Sequence, residues 1–456
     1  MTTPLRFVTL LAALALSGAS FAQVLAPTGK DPFEAVVAAR LAAEDQPTCV
    51  AVGMVGEFGR TFFACTPSAG KVLIDKDSIF EVGSFTKVLT GLLLADMIHR
   101  GEVALSDPIS KYAPPGAPLP KQSGREITLG DLVTHRSSLP RLPTAYQPSD
   151  LSNPYKGFDS KALYEALAKT ELTADIGTRQ EYSNFGYMLL SDLLGRRAGK
   201  RFDVLLEERI LKPLGMTSTS VVLTPEAAKR RVQGHGPNYR EVPAWDFEPE
   251  VAGAGGVNAS LLDLMRFADA AAGRRTMGLK PVFDTSFVPL INEPERTSTL
   301  FAWGMRKRAV GRLLFHNGQT GGMRTMVVVN PDNGTGAVVL TDSGANLEDL
   351  AFHLADPTLP MKVKREEMQL DEAKLDEYVG TYTLAPNFEL RVFREGSRLL
   401  VQATGQQAVP MFAELTDRFF LKLVDAQLTF RRGTEGKVVS VVLHQGGRDV
   451  PGPRKP

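Results

Sequence analysis

Glu81, Val82, Gly83, Ser84, Phe85, Thr86 and Lys87, followed by Val88, Leu89, Leu92, Leu93, Leu94, Met97 and Ile98, form the stretch around which the chain is organised. From Ser84 onward apolar residues recur on nearly every face, with no proline and no turn signal until Gly101. This predicts a largely buried helix of about four turns. Ser84 and Lys87 are three apart, so one helix face carries both at roughly 5–6 Å between Cβ atoms. A serine hydroxyl becomes a useful nucleophile when a neighbouring base takes its proton. A lysine serves as that base once desolvation or nearby positive charge lowers its pKa. The start of the helix adds free N–H groups and the positive end of the macrodipole. Ser68, Ala69, Gly70 and Lys71 match the same S-x-x-K spacing, but Pro67 and Gly70 frame them and no helical pattern follows, so a lysine there stays solvated.

The remaining chain sets the context. With 456 residues, 43% hydrophobic and 23% charged, it has room for two domains and an ordinary globular composition. A formal net charge of +1 gives no reason to expect nucleic acid or an anionic membrane surface as partner. Met1 to Ala22 reads as a secretory signal: Arg6, an apolar core from Phe7 to Leu16, and small residues Ser20 and Ala22 before a cut at Gln23. The apolar run is too short to span a bilayer, so the mature chain is expected to be exported, periplasmic or extracellular, with no integral membrane span. Cys49 and Cys65 flank two apolar segments that hairpin counting sets opposite one another. A cross-strand disulfide and two buried thiols both remain open.

Asp31 and Pro32 cap a helix over Phe33 to Glu44. A short lead-in at Ile79 to Val82 follows the cysteine hairpin. Helical patterns then start at Thr128, Ser160, Asn184, Phe202 and Ser260, with Gly199 and Gly215 as stops. Strand signals return at Phe301 to Met305, Leu313 to His316, Met326 to Asn330 and Gly336 to Thr341, the last two joined through Asp332, Asn333 and Gly334. Leu347 to Leu354 is a closing helix. The expected fold is α/β (α+β): one antiparallel sheet built from distant segments, flanked by helices, with a helical insertion and Ser84 on the floor of the cleft between them. Charged residues from Met361 to Lys374 read as a linker. From Tyr378 short apolar runs at close spacing predict a small all-β module, sandwich or barrel. The expected divisions are 1–22, 23–362 and 363–456.

Six histidines, His99, His135, His235, His316, His353 and His444, stand isolated, which argues against a metal, and no cofactor motif occurs. No G-x-S-x-G is present, so serine chemistry needs a base other than that of α/β-hydrolases. Two further stretches carry chemistry. Tyr182, Ser183 and Asn184 sit at a loop-to-helix junction, where a phenol can pass protons and an amide can orient a lysine or a substrate carbonyl. His316, Asn317, Gly318, Gln319, Thr320, Gly321 and Gly322 end a strand whose glycines admit a ligand to the backbone.

In this order the three stretches resemble the serine β-lactamase and penicillin-binding protein superfamily, in its class C β-lactamase and D-alanyl-D-alanine carboxypeptidase branch. Ser84 and Lys87 match S-x-x-K, Tyr182 and Asn184 match Y-x-N, and His316 and Gly318 match H-x-G. Phe80 to Lys87, Ile127 to Pro140 and Arg209 to Met216 also look like this branch, and the tail resembles an appended lipocalin-like β domain. The resemblance implies a β-lactamase/transpeptidase-like fold in which Ser84 is acylated while Lys87 and Tyr182 relay protons. It implies an oxyanion hole from the N–H groups of Ser84 and Gln319, with Asn184 and His316 meeting the substrate. The implied partner is a small molecule or peptide: a peptidoglycan fragment, β-lactam or ester. A D-amino-acid peptide is the leading expectation, a class C-like β-lactamase or carboxylesterase the alternative, and a non-hydrolytic penicillin-binding sensor the second. In place of the lysine of class C β-lactamases stands His316, mostly neutral at pH 7, so recognition of a substrate carboxylate is less assured; Arg324 is weighed as a compensating cation, with a surface arginine the preferred reading.

Overall fold

The computed structural model describes residues 31–456 except 72, 123, 145, 276–277, 292–297, 425 and 446–447, so the signal read at 1–22 lies outside the described residues. Among them, seven strands form one antiparallel sheet in the order Arg60–Cys65, Cys49–Val55, Thr335–Thr341, Arg324–Asn330, Gly311–Gln319, Gly304–Arg308, Ser298–Thr299. The sheet therefore joins residues nearly 300 positions apart in the chain, Val50 opposite Thr341. Central strands such as Met326, Val327, Val328 and Val329 are apolar without alternation because both faces are covered. Met326 and Val328 pack with Phe33, Val37 and Leu350 under the helices Pro32–Ala42 and Glu348–Ala355. Val327 and Val329 face the other way, into the large core shared with the Ser84 helix.

That helix runs from Thr86 to His99 and is buried at every residue through Met97. Ser84 itself lies just before it, in a 3-10 turn over Gly83–Phe85, so the helical pattern begins two residues later than the apolar periodicity suggested. Phe85 anchors the turn edge-on against Phe267, ring centres 5.4 Å apart. The expected lead-in is a strand, Ile79–Glu81, but it pairs with Asn258–Ser260 rather than with the main sheet. The predicted helical starts are borne out in Leu129–Val133, Ser160–Ala168, Asn184–Ala198, Phe202–Leu206 and Leu261–Ala271. Thr128, Asp159, Ser183 and Ser260 cap four of them through their side chains. The first four belong to the helical insertion, whereas Leu261–Ala271 packs on the main sheet against Cys49–Val55 and Thr335–Thr341.

Cys49 and Cys65 are directly opposite across the first hairpin and joined by a disulfide. Ser68 sits in an isolated 3-10 turn, exposed, as does Lys71 beyond it.

The tail is an eight-stranded antiparallel meander from Gly380–Ala385 to Arg448–Pro453. Its ends approach closure: Lys455 N donates to Thr381 O at 2.7 Å and Tyr382 bridges Arg454. Tyr378, Tyr382, Leu428, Phe430 and Val441 fill its interior, as expected for a small barrel. The charged stretch before it is held at both ends. Lys362 N donates to Asp349 Oδ2 at 2.8 Å, Arg365 pairs with Glu414 at 3.0 Å, and Met368 N donates to Ala413 O at 2.8 Å.

Candidate active site

Lys87 is fully buried in the first turn of its helix, and its Nζ lies 3.2 Å from Ser84 Oγ. Nζ also donates to Asn184 Oδ1 at 2.8 Å and to Ala254 O at 2.5 Å. No carboxylate among the described residues balances it, so burial, helped by the positive charge of Arg141, holds its pKa well below the usual lysine range. A neutral amine has two N–H bonds and one lone pair. Asn184 and Ala254 accept the two N–H bonds, which leaves the lone pair to Ser84. The geometry suits a base acting on that hydroxyl.

Tyr182 is hydrogen-bonded to Ser84 from the other side, and its ring lies 4.8 Å from Lys87 Nζ. Burial raises the phenol to about 12, with the bond to Ser84 and the Arg141 charge pulling the other way. At neutral pH the phenol is therefore protonated, a donor rather than a base. Lys87 and Tyr182 are pushed in opposite directions by one dry environment, which separates acid from base. Asn184 is fixed at both ends of its amide: Oδ1 to Lys87, and Nδ2 donating to Tyr155 OH at 3.1 Å.

The strand edge completes the floor. A Cβ on Gly318 would meet Val82 O at 2.0 Å, and one on Gly83 would meet Gln319 N and O at 2.7 Å. Gly83 also has φ +50, in the region glycine alone occupies without strain. The two glycines let the Ser84 turn and the Gln319 backbone touch, at the end of the cavity that Gly83, Ser84 and Gln319 line. His316 is buried one residue pair earlier on the strand. Burial, with a smaller effect from Lys87, lowers its pKa to about 4, so it is neutral at pH 7.

Ser84, Asn184 and Gln319 open onto a cavity of about 620 Å³, walled by Arg141, Tyr146, Tyr155, Phe158, Trp245 and Phe247. Tyr155 stacks on Phe247 at 4.3 Å between ring centres. Ser84, Lys87, Tyr182, Asn184, His316, Gly318 and Gln319 are thus brought together, and Arg324, read above as a surface arginine before a compensating cation, lies away from them. Its register neighbours Met326 and Val328 point to the opposite face of the sheet, where Arg324 sits 3.6 Å from Glu348.

Several contributors escaped the sequence reading. His135, singled out there only as isolated, packs against Tyr182 with ring centres 4.5 Å apart and planes tilted by 30°, and accepts from Ser183 N at 3.1 Å through Nδ1. Its φ of 59 turns the chain beneath the tyrosine, and the surrounding Ile127 to Pro140 segment was the available signal. Glu81, inside the opening stretch, is a buried carboxyl that accepts from Trp245 N at 2.6 Å and Thr320 Oγ1 at 3.2 Å. Desolvation raises its pKa, and it ties the aromatic wall to the strand edge. Arg141 and the Ala254 carbonyl carried no local signal at all.

Comparison with known proteins identifies the family and the fold. A family model described as Beta-lactamase matches residues 50–355, and one described as a domain of unknown function, DUF3471, matches residues 364–451. The chain is 32% identical over 229 residues to the D-alanyl-D-alanine-carboxypeptidase/endopeptidase AmpH of Escherichia coli K12. That match spans 49% of this chain and 54% of AmpH, about half the length of each. Penicillin-binding protein 4* of Bacillus subtilis is 25% identical over 403 residues, covering 82% of this chain and 87% of that protein. Among solved structures, the octameric penicillin-binding protein homologue from Pyrococcus abyssi aligns at TM-score 0.61 and 19% identity, over 92% of this chain and 99% of its own. A class C β-lactamase aligns at TM-score 0.61 and 17% identity, over 71% of this chain and 96% of its own. At those identities the structures establish the fold, an α/β β-lactamase-like sheet with flanking helices. With two thirds of its residues under one family model and this fold beneath them, the chain belongs to the β-lactamase family of serine hydrolases.

Proposed function

We propose that the protein is an exported serine acyl-hydrolase that works through a covalent acyl-enzyme on D-amino-acid peptides or amides of the peptidoglycan type. In this reading residues 1–22 direct export, 23–362 form the hydrolase, and 363–456 form a separate β module. The observation that carries it is the buried Lys87 amine 3.2 Å from Ser84 Oγ, its pKa held well below the usual lysine range by desolvation. Ser84 Oγ attacks the carbonyl carbon as its proton passes to Lys87, and the resulting oxyanion accepts from the N–H groups of Ser84 and Gln319. Collapse breaks the C–N bond. The leaving amine takes a proton from Tyr182, which is resupplied from Lys87. Water then enters, gives its proton to the same relay and releases the acyl group, restoring Ser84. His316 keeps the strand edge dry and uncharged beside Lys87. The names of AmpH and of the penicillin-binding proteins support this substrate class over its rivals.

A panel of three substrates tests it. Cleavage of a D-Ala-D-Ala peptide, with slow release of a bound penicillin, is the expected result. Rapid turnover of a chromogenic cephalosporin would make the enzyme a β-lactamase, and p-nitrophenyl butyrate turnover without either would make it an esterase. Penicillin binding with no turnover of any substrate would leave a sensor.

The pH profile is a second expected outcome. Lys87 must be neutral to accept the proton, so kcat/KM rises with pH through its lowered pKa and then levels off. Tyr182, pushed up to about 12, stays protonated across the plateau. A rate still climbing near about pH 10, the range of an ordinary lysine, would show that Lys87 is solvated.

A further inference from the structure

The active site contains one charge that touches neither the nucleophile nor the proton relay by a hydrogen bond, although it helps to hold the Lys87 pKa down. Among the described residues lining the cavity, Arg141 is the single side chain charged at neutral pH. Its guanidinium carbon lies 5.2 Å from the centre of the Tyr182 ring, and Lys87 Nζ lies 4.8 Å from the same centre. The backbone beneath it is fixed: Arg141 O accepts from Asn184 N at 2.9 Å and from Phe185 N at 3.3 Å, at the start of the helix that carries Asn184. Arg141 has no carboxylate partner among the described residues. The nearest acid in sequence to Tyr182, Glu181, is engaged by Arg179 and by Thr173 Oγ1 at 2.9 Å. An exposed arginine held over the relay tyrosine, at the mouth of a cavity with otherwise neutral walls, is a site for an anion.

Resting on the acyl-hydrolase reading above, we propose that Arg141 is the specificity-determining residue of this enzyme, binding a carboxylate of the substrate in place of the cation that His316 does not supply. The planar guanidinium pairs with a carboxylate through two parallel N–H bonds, which fixes orientation as well as charge. The site then selects acyl donors with a carboxylate within a few bonds of the scissile carbonyl. That carboxylate belongs either to the leaving group, as in a peptide with a free C-terminus, or to the acyl part, as in a dicarboxylic monoester.

Two matched pairs separate these sources: a D-Ala-D-Ala peptide against its C-terminal amide, and 4-nitrophenyl hydrogen glutarate against 4-nitrophenyl valerate. They are compared in the wild-type full chain, Arg141→Ala and Arg141→Lys. In Arg141→Ala, kcat/KM for the anionic member of at least one pair is expected to fall about tenfold to a hundredfold further than for its neutral partner. The extra loss should lie in KM and be partly restored in Arg141→Lys. An equal loss on charged and neutral members of both pairs would make Arg141 a support for Tyr182 and overturn the proposal, as would no loss at all. Labelling with a neutral fluorophosphonate distinguishes the two levels of failure. A wild-type protein unlabelled at Ser84 sinks the acyl-enzyme reading and this one with it, whereas a labelled protein indifferent to substrate charge sinks Arg141 alone.

Discussion

Ser84→Ala is expected to abolish covalent labelling by a fluorescent penicillin or fluorophosphonate and to lower turnover by about 10⁴–10⁶-fold, the scale on which nucleophile removal acts in serine hydrolases. Ser68→Ala should leave both intact. The two serines share the same S-x-x-K spacing, and their surroundings differ in every respect that matters to the chemistry. Ser84 sits 3.2 Å from a desolvated amine and is hydrogen-bonded to a protonated phenol. Ser68 is exposed, 3.3 Å from Thr66 Oγ1, and its lysine is in solvent. Ser84 caps no helix with its side chain, so the melting temperature of Ser84→Ala should stay close to wild type. Mass spectrometry of the labelled peptide decides the matter: label on a peptide lacking Ser84 would end the assignment.

Gly318→Ala should damage the protein through the backbone rather than through chemistry. The added methyl would meet Val82 O at 2.0 Å, with Val82 C and Phe85 N at 3.0 and 3.2 Å. None of these atoms belongs to a flexible side chain. Relief requires the strand edge to move away from the Ser84 turn, and with it Gln319, whose N–H is one of the two proposed oxyanion donors. Overpacking of this kind costs about 1–3 kcal/mol, and the upper end applies where backbone meets backbone. A lower denaturant midpoint together with at least about a hundredfold loss of kcat, from a displaced oxyanion donor, is the expected pair of results. Wild-type stability and turnover in Gly318→Ala would mean that the two segments are not in contact.

The partition between sequence and tertiary structure follows from the range of each interaction. The Ser84 helix was legible because its apolar residues, Val88, Leu89, Leu92, Leu93, Leu94, Ala95 and Met97, fall on several faces of the helix, as burial on all sides requires. The caps at Thr128, Ser183 and Ser260 were legible because their hydrogen bonds close within three residues. The exact start of the helix was not: apolar spacing does not distinguish a 3-10 turn from the first α-turn that follows it. Nor did the lead-in at Ile79–Glu81 reveal its partner, since a three-residue strand pairs equally well with any free edge.

By itself the sequence determined which side chains are capable of the chemistry, because nucleophile, base, phenol and glycine-lined edge each declare themselves through residue type and local spacing. Only the tertiary structure decided their protonation and their company. Lys87 is lowered and Tyr182 raised by the burial that distant segments impose, Ala254 from the insertion and His135 from beneath the tyrosine. That Arg324 lies away from the cavity and Arg141 lines it has the same cause. Which face of a sheet, or which lip of a cavity, a long cation occupies depends on strand register and on loops folded from far along the chain, and no local pattern encodes either.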